Sequence, residues 1–296
     1  DPRTVAPVQG AVRNQGDAWR YTLRNLERTI DDAVARAADG TVAVADHTSY
    51  LLMVQALAAR TADLHRALAV PTGDPSFDPV PFTVEQLAEW ARAIHAELVT
   101  TLQTLRAVRS ELLPATPDVA ARALGSIEPL HAAIDQHAAG ATSSQAIRLH
   151  GDFHLGQVLV TGNDFVITDL EGEPGRSLEE RRRKHTVLKD IAAMGRSFDY
   201  ARVVAARQFA AKPRSGAPDV GALLEDWRVR VHAAFRAAYA TAIADCGVWP
   251  REQTEIERQL KLATIERLLY EIRYELSHRP ELVAVPLADL TALIAP

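Results

Sequence analysis

"LHGDFHLGQVLV", residues 149–160, sets an Asp between two His residues and follows them with a Gln and a short apolar run. It stands apart from its surroundings, because most of the 296-residue chain keeps helical spacing. Here Val158, Leu159 and Val160 run together, the turn-forming group Thr161–Asp164 follows, and "DFVITD" at 164–169 is apolar again. Two short β-rich runs joined by a Gly-Asn-Asp turn predict a hairpin. "AIRLHG" at 146–151 predicts a further short extended run leading into it.

Outward from this stretch the pattern is helical. Val5–Val12 reads as a short extended lead-in, and Asp17 is a candidate cap for a helix from Trp19 to Ala38, since its carboxylate can accept a free amide of the first turn. Asp46 or Thr48 would cap a second helix running through Leu57 to Leu68. "VPTGDPSFDPVPF" at 70–82 reads as a loop, because Pro cannot continue a helix and restricts the residue before it. Thr83 with Gln86 predicts a capping box for a long helix to about Leu113, and another helix is expected over Asp118–Ala138. Helical spacing resumes near Asp190 and is interrupted by "KPRSGAPD" at 212–219 and by Gly247–Pro250. The expected class is mainly α (α+β): a helical bundle around one or two short hairpins.

Composition narrows the function. A net charge of −5 argues against nucleic acid or an anionic membrane as the main partner. With Cys246 as the single cysteine no internal disulfide can form, which suits a reducing cytoplasm. No apolar run approaches the roughly 20 residues of a membrane span. Asp1 in place of Met, with no leader pattern, is read as a trimmed start.

The hairpin would gather Asp152, Gln157 and Asp169 at one end. Phosphoryl transfer from ATP uses such a set: one carboxylate takes the proton of the attacking hydroxyl, while an amide oxygen and a second carboxylate hold Mg²⁺ on the phosphates. The protein-kinase pattern spaces its Asp base and metal-binding Asn as D-x-x-x-x-N, with a second Asp on the next strand. Here the spacing is D-x-x-x-x-Q, and the later triplet is Asp169-Leu170-Glu171. A competing chemistry is glycoside hydrolysis, with Asp169, Glu171 and Glu173 supplying a carboxylate pair from one face of a strand. That reading gives Gln157 and the histidines no role, and the chain lacks a (β/α)₈ succession.

"HGDFHLGQVLV" with "ITDLEGEP" resembles the maltokinase family, relatives of the aminoglycoside phosphotransferases with a kinase-like fold. "NQGDAWRYTL" (14–23), "RTADLHRAL" (60–68), "LKDIAAMGRSFDYA" (188–201) and "YEIRYELSHRP" (270–280) extend the likeness over nearly the whole chain. The resemblance implies ATP- and Mg²⁺-dependent phosphorylation of maltose or a similar disaccharide, with trehalose synthase as a fused or bound partner. Two alternatives stay open: another phosphotransferase of the aminoglycoside or choline kinase type acting on an amino sugar or amino alcohol, and a non-catalytic module that docks trehalose synthase. It implies Asp152 as catalytic base, Gln157 and Asp169 as Mg²⁺ ligands, and His154 and Glu173 at the substrate. Tyr270 and Tyr274, four apart on a helix, would line the sugar pocket, although the spacing alone favours ordinary core packing. Arg267 stands where the family has a Lys, and so keeps the charge but not the shape.

Other residues have plainer readings. His150 and His65 are expected to be structural, and Asp190 a helix cap and loop anchor. The run Arg181–Lys184 is expected to be a solvated, internally paired segment, with Arg176 or Lys184 as candidates to approach the phosphates. The chain's lysines are Lys184, Lys189, Lys212 and Lys261, so none precedes the catalytic loop. A kinase lobe carrying a phosphate-binding Lys is therefore not expected within these residues. Residues 1–16 read as the remainder of a hinge, and 17–296 as a C-terminal catalytic lobe.

Overall fold

The computed structural model describes residues 10–38, 47–112, 117–211 and 219–294. Most of the predicted Val5–Val12 lead-in, Asp46 and most of "KPRSGAPD" fall outside the described residues. Helix α1 (Ala18–Ala38) opens with Asp17 accepting the Arg20 amide at 2.7 Å, as its capping role requires. Helix α2 (Thr48–Leu68) has His47, not Thr48, at its cap position, and the His47 side chain makes no capping bond. The "VPTGDPSFDPVPF" stretch is not wholly loop: β1 (Val80–Pro81) pairs antiparallel with β2 (Gln145–Ala146). Pro81 is tolerated there because a two-residue strand asks little of its missing N–H.

Thr83 and Gln86 form the expected reciprocal cap, at 2.9 and 3.3 Å, for α3 (Val84–Leu112). The single helix predicted over Asp118–Ala138 is instead two, α4 (Pro117–Gly125) and α5 (Ile127–Ala138). The break has a chemical cause: Pro129 cannot donate to the Gly125 carbonyl, so it fits only in the first turn of a new helix. The extended run expected at 146–151 is shorter than predicted, comprising β2 and a bridge from Ile147 to His185.

β3 (Val158–Thr161) and β4 (Asp164–Ile167) form the predicted hairpin, with Val158 opposite Ile167. Gly162, the first of its two central residues, has φ +69°, the form of a type II′ turn. Segment 15–17 lies along the other edge of β3: the Gln15 amide donates to the Val160 carbonyl at 2.8 Å, and Val160 returns a bond to Gly16.

After the hairpin come α6 (Leu178–Arg182), α7 (Leu188–Ala210), α8 (Val220–Ile243), α9 (Gln253–His278) and α10 (Ala284–Ala292). Helical structure thus resumes earlier than Asp190. Ser177 and Glu180 complete a capping box that starts α6.

The apolar residues divide into two cores. One joins α1, α2, α7, α8 and the hairpin around Phe153, Phe198, Trp227, Phe235 and Tyr239. The other joins α3, α4, α5, α9 and α10 around Leu87, Ile94, Leu98 and Leu268. Helices α7 and α9 pack on each other and carry the two cores on opposite sides. Loop 149–155 and loop 168–176 emerge over that seam, and buried Phe153 and Leu155 pin the first of them to the core. No described helix is long and apolar enough to cross a membrane.

Candidate active site

The loop holding Asp152 is fixed from below. Asp190, buried in the first turn of α7, accepts the amides of His150 (2.9 Å) and Gly151 (3.1 Å). Its Oδ2 also lies 3.1 Å from His65 Nε2, and His65 Nδ1 meets the Tyr239 hydroxyl at 2.7 Å. Burial alone would raise the Asp190 carboxyl, but His65, His150 and the Gly151 amide more than offset it and hold it below its ordinary value. Asp190 is thus a loop anchor, as expected, but not a helix cap, since Val187 holds the cap position of α7 without a side-chain bond. His65 is structural, as expected.

His150 links this loop to the next one, its Nε2 lying 2.9 Å from the Thr168 carbonyl. The two loops also touch through their glycines. Gly151 (φ +79°) and Gly172 (φ +76°) are both left-handed, and a Cβ on Gly151 would stand 3.4 Å from the Gly172 Cα.

Between them the loops present the predicted residues. Gln157 Nε2 donates to Asp169 Oδ2 at 2.8 Å. Asp169 is the one non-glycine with positive φ (64°) among the described residues, a conformation that Asp tolerates better than most side chains. The backbone leaves the strand at this point, so the alternation that would put Asp169, Glu171 and Glu173 on one face does not occur. Glu171 is exposed, whereas Glu173 is buried and paired with Arg176 at 3.2 Å. The carboxylate pair that a glycoside hydrolase needs is thus not formed there.

His154 Nε2 lies 3.9 Å from Asp152 Oδ2. Its Nδ1 accepts the Gly156 amide at 3.0 Å, so the neutral ring carries its proton on Nε2, facing Asp152. Burial is the main cause that lowers His154 below its ordinary value and keeps it neutral.

Helix α9 supplies the opposite wall. Arg267 Nη1 stands 4.0 Å from Asp152 Oδ1, and its guanidinium lies 4.8 Å over the Tyr270 ring. Burial and the neighbouring Glu173 carboxylate push the Tyr270 hydroxyl up. Tyr274 sits one turn further on, but His278 stacks on it at 4.4 Å and Arg279 lies over it at 5.3 Å. The structure thus brings Asp152, His154, Arg267, Tyr270 and Glu173 to one region, with Gln157 and Asp169 paired at the adjoining mouth of the hairpin. Tyr274 is exposed and is not among the residues lining the cavity.

A cavity of about 550 Å³ opens beside Gly151 and runs between α3 and α9. Its lining includes Glu173, Arg267, Tyr270, Trp90, Glu97 and Glu266. Arg176 organises the acids of this wall, with contacts to Glu173 (3.2 Å), Glu97 (3.3 Å), Glu180 (3.8 Å) and Glu266 (3.9 Å). Burial would raise Glu266, but Lys189, His185 and Arg176 overcome it and hold the carboxyl at about 2.

Sequence reading missed the residues from α3 and most of α9. Trp90 and Glu97 lie far from the hairpin in the chain, and Glu266 looks like one more charge on a helical surface. Only the proximity of Glu266 to Arg267 hinted at it. Lys184, a candidate for the phosphates, is occupied elsewhere: its ammonium donates to the Pro75 carbonyl at 2.6 Å and to that of Asp78, closing loop 72–78. Arg181 reaches back toward the Glu171 carbonyl and Arg183 lies 4.0 Å from Glu89, so part of the basic run is paired within the protein.

No family model matches the chain. It is 28% identical over 296 residues to the glucosamine kinase of Streptacidiphilus jiangxiensis, covering 98% of this chain and 57% of that protein. It is 28% identical over 278 residues to the glucosamine kinase of Mycolicibacterium smegmatis, covering 90% of this chain and 62% of that protein. The chain therefore spans about three-fifths of the length of these relatives. Among solved structures, a glucosamine kinase in complex with glucosamine, ADP and inorganic phosphate superposes with a TM-score of 0.70 at 22% identity, over 95% of this chain and 58% of that one. A second crystal form of a glucosamine kinase gives 0.70 over 94% and 58%. The expected kinase-like fold is met: over nearly all of its length the chain shares the fold of part of glucosamine kinase.

Proposed function

We propose that these residues form the catalytic lobe of an ATP-dependent sugar kinase whose acceptor is an amino sugar of the glucosamine type. The observation that carries this reading is the joint placement of Asp152 and Gln157 before one strand of a single hairpin and Asp169 after the other, with Gln157 and Asp169 hydrogen-bonded across the two loops. Asp152 takes the proton of the attacking hydroxyl. His154, neutral and with Nε2–H on the Asp152 side, orients that carboxylate or the acceptor. Arg267 offsets the negative charge that gathers where acceptor and phosphoryl group meet.

Gln157 and Asp169 suit Mg²⁺. Both offer oxygen, and Mg²⁺ is commonly held by one or two carboxylates together with substrate phosphates. The extra methylene of Gln, relative to Asn, lets its amide reach Asp169 directly. Bound there, the ion would neutralise charge on the phosphates.

The choice of acceptor rests on two supports. The relatives are glucosamine kinases. The cavity beside Gly151 also carries Glu97, Glu173 and Glu266, carboxylates shared with Arg176 and Lys189, of which the buried Glu173 Oε1 has no hydrogen-bond partner and could receive an ammonium group. Maltose and a trehalose synthase partner, both implied by the maltokinase resemblance, draw no support from these relatives. A phosphate-binding lysine is not supplied before the catalytic loop, so we take a separate nucleotide-covering lobe to complete the enzyme.

The test is ADP release with Mg-ATP and a panel of glucosamine, maltose, glucose and an aminoglycoside. Turnover with glucosamine is expected from the polypeptide carrying both lobes, and negligible turnover from residues 1–296 alone. Turnover with maltose instead would restore the disaccharide reading. Sugar cleavage without ATP would remove the kinase reading altogether.

A further inference from the structure

Arg267 is drawn to two carboxylates and hydrogen-bonds to neither. Its Nη1 is 4.0 Å from Asp152 Oδ1, its Nε is 3.6 Å from Glu271 Oε1, and the buried Nε has no hydrogen-bond partner. The two separations differ by only about a tenth, so distance alone does not decide between the two carboxylates. The Tyr270 ring supports the guanidinium from one face, and His154 lies on the far side of Asp152.

Glu271 is kept from capturing Arg267 by a second arginine. Buried Arg196 donates to Glu271 Oε2 from Nε (3.1 Å) and Nη2 (3.0 Å). Its remaining nitrogen, Nη1, donates to Asp199 (3.0 Å) and Asp289 (2.7 Å). Asp199 is in turn held by His232 at 2.9 Å. A chain of alternating charge thus runs from Asp152 through Arg267, Glu271 and Arg196 to α10, with each link on a different turn or helix.

We propose that Glu271 is a positioning residue: it holds Arg267 back from Asp152, so that the carboxylate stays open to the acceptor's hydroxyl. Were Glu271 neutral, the only strong attraction left on Arg267 would be Asp152. The pair would close into a charge-assisted hydrogen bond, the strongest class a side chain can form, and would occupy the oxygen meant for the acceptor's proton. The chemical consequence rests on Asp152 being the base; the geometric one does not.

The experiment is Glu271→Gln, read by crystallography and by steady-state kinetics of the two-lobed enzyme, with Asp289→Asn as comparison. Asp289→Asn removes a charge from the same Arg196 cluster but leaves Arg267 and Glu271 as they are. Glu271→Gln is expected to bring Arg267 within hydrogen-bond distance of Asp152. It should lower kcat by about 10²-fold, the lower end of what a general base contributes, with acceptor KM changed by less than about 3-fold. Asp289→Asn is expected to keep kcat near wild type. If Arg267 does not move, or if both variants lose kcat equally, the proposal is overturned. Should Glu271→Gln fail to fold, Glu271→Asp keeps the charge but retreats by one methylene. It should show a smaller shift of Arg267 and a smaller loss of kcat, and wild-type values for both would overturn the proposal. If Arg267 moves but the wild-type enzyme transfers no phosphoryl group, the kinase reading fails while the link between Glu271 and Arg267 stands.

Discussion

The Gln157 amide nitrogen donates to Asp169 Oδ2 at 2.8 Å, so the two candidate metal ligands are already joined across the two loops. Asn at position 157 would be one methylene shorter and would lose that reach. We expect Gln157→Asn to raise the Mg²⁺ concentration needed for half-maximal turnover by about 10-fold, in line with the loss of a supporting contact at a metal site. Mg²⁺ titration of activity measures this, and an unchanged requirement would separate Gln157 from the metal.

Asp152 is the group whose loss should matter most to turnover and least to folding. It is partly exposed and makes only long contacts, at 3.9 Å to His154 and 4.0 Å to Arg267. Asp152→Asn should lower kcat by about 10²–10⁴-fold, with an unchanged melting temperature. A variant that retained full turnover would remove Asp152 from the role of base.

Gly151 is required by its backbone. At φ +79° any Cβ is disfavoured, and the Gly172 Cα lies 3.4 Å from where it would stand. Gly151→Ala should destabilise by about 1–2 kcal/mol from the left-handed conformation alone, lowering Tm by a few degrees. Thermal melts test this. The next residue is Asp152, so turnover should fall with it.

The cavity wall predicts a response to acid. The Glu266 carboxyl is held at about 2 in the folded protein, against an ordinary value of 4.5, by Lys189, His185 and Arg176 acting against burial. The folded state thus binds fewer protons than the unfolded state between those values. This stabilisation is fully present above the ordinary value and is lost as pH falls toward 2. His185 acts in the same sense at higher pH. Burial and Lys189 keep it neutral, so stability declines as pH drops below the ordinary histidine value of 6.5. Lys189→Met should leave Glu266 without its closest cation and cost about 3 kcal/mol at neutral pH. It should also flatten the loss of stability below pH 4.5, as urea midpoints measured from pH 7 to 3 would show.

Lys184 closes loop 72–78 through the Pro75 and Asp78 carbonyls. Lys184→Met should speed amide exchange across residues 72–78 and leave the hairpin unchanged. Slow exchange retained in that loop would show that the bonds Asp78 accepts from Thr72 and Gly73 suffice by themselves.

Structures whose causes are local are legible in the chain. The hairpin is written in Val158–Ile167 with its Gly162 turn, the capping box in Thr83 and Gln86, and the α1 cap in Asp17, because each depends on residues a few positions apart. The spacing of Asp152, Gln157 and Asp169 is likewise local, and it located the candidate site. Pro129 could have revealed the break between α4 and α5, but it lay inside an otherwise helical pattern. Tertiary structure decided everything that depends on charges meeting across elements. Arg176 gathers acids from α3, α6 and α9, Lys184 serves a loop 106 residues away, and Arg267 is suspended between Asp152 and Glu271. A charged residue on a helix carries no local mark of its partner, since its Coulomb energy is set by distance and burial in the folded chain.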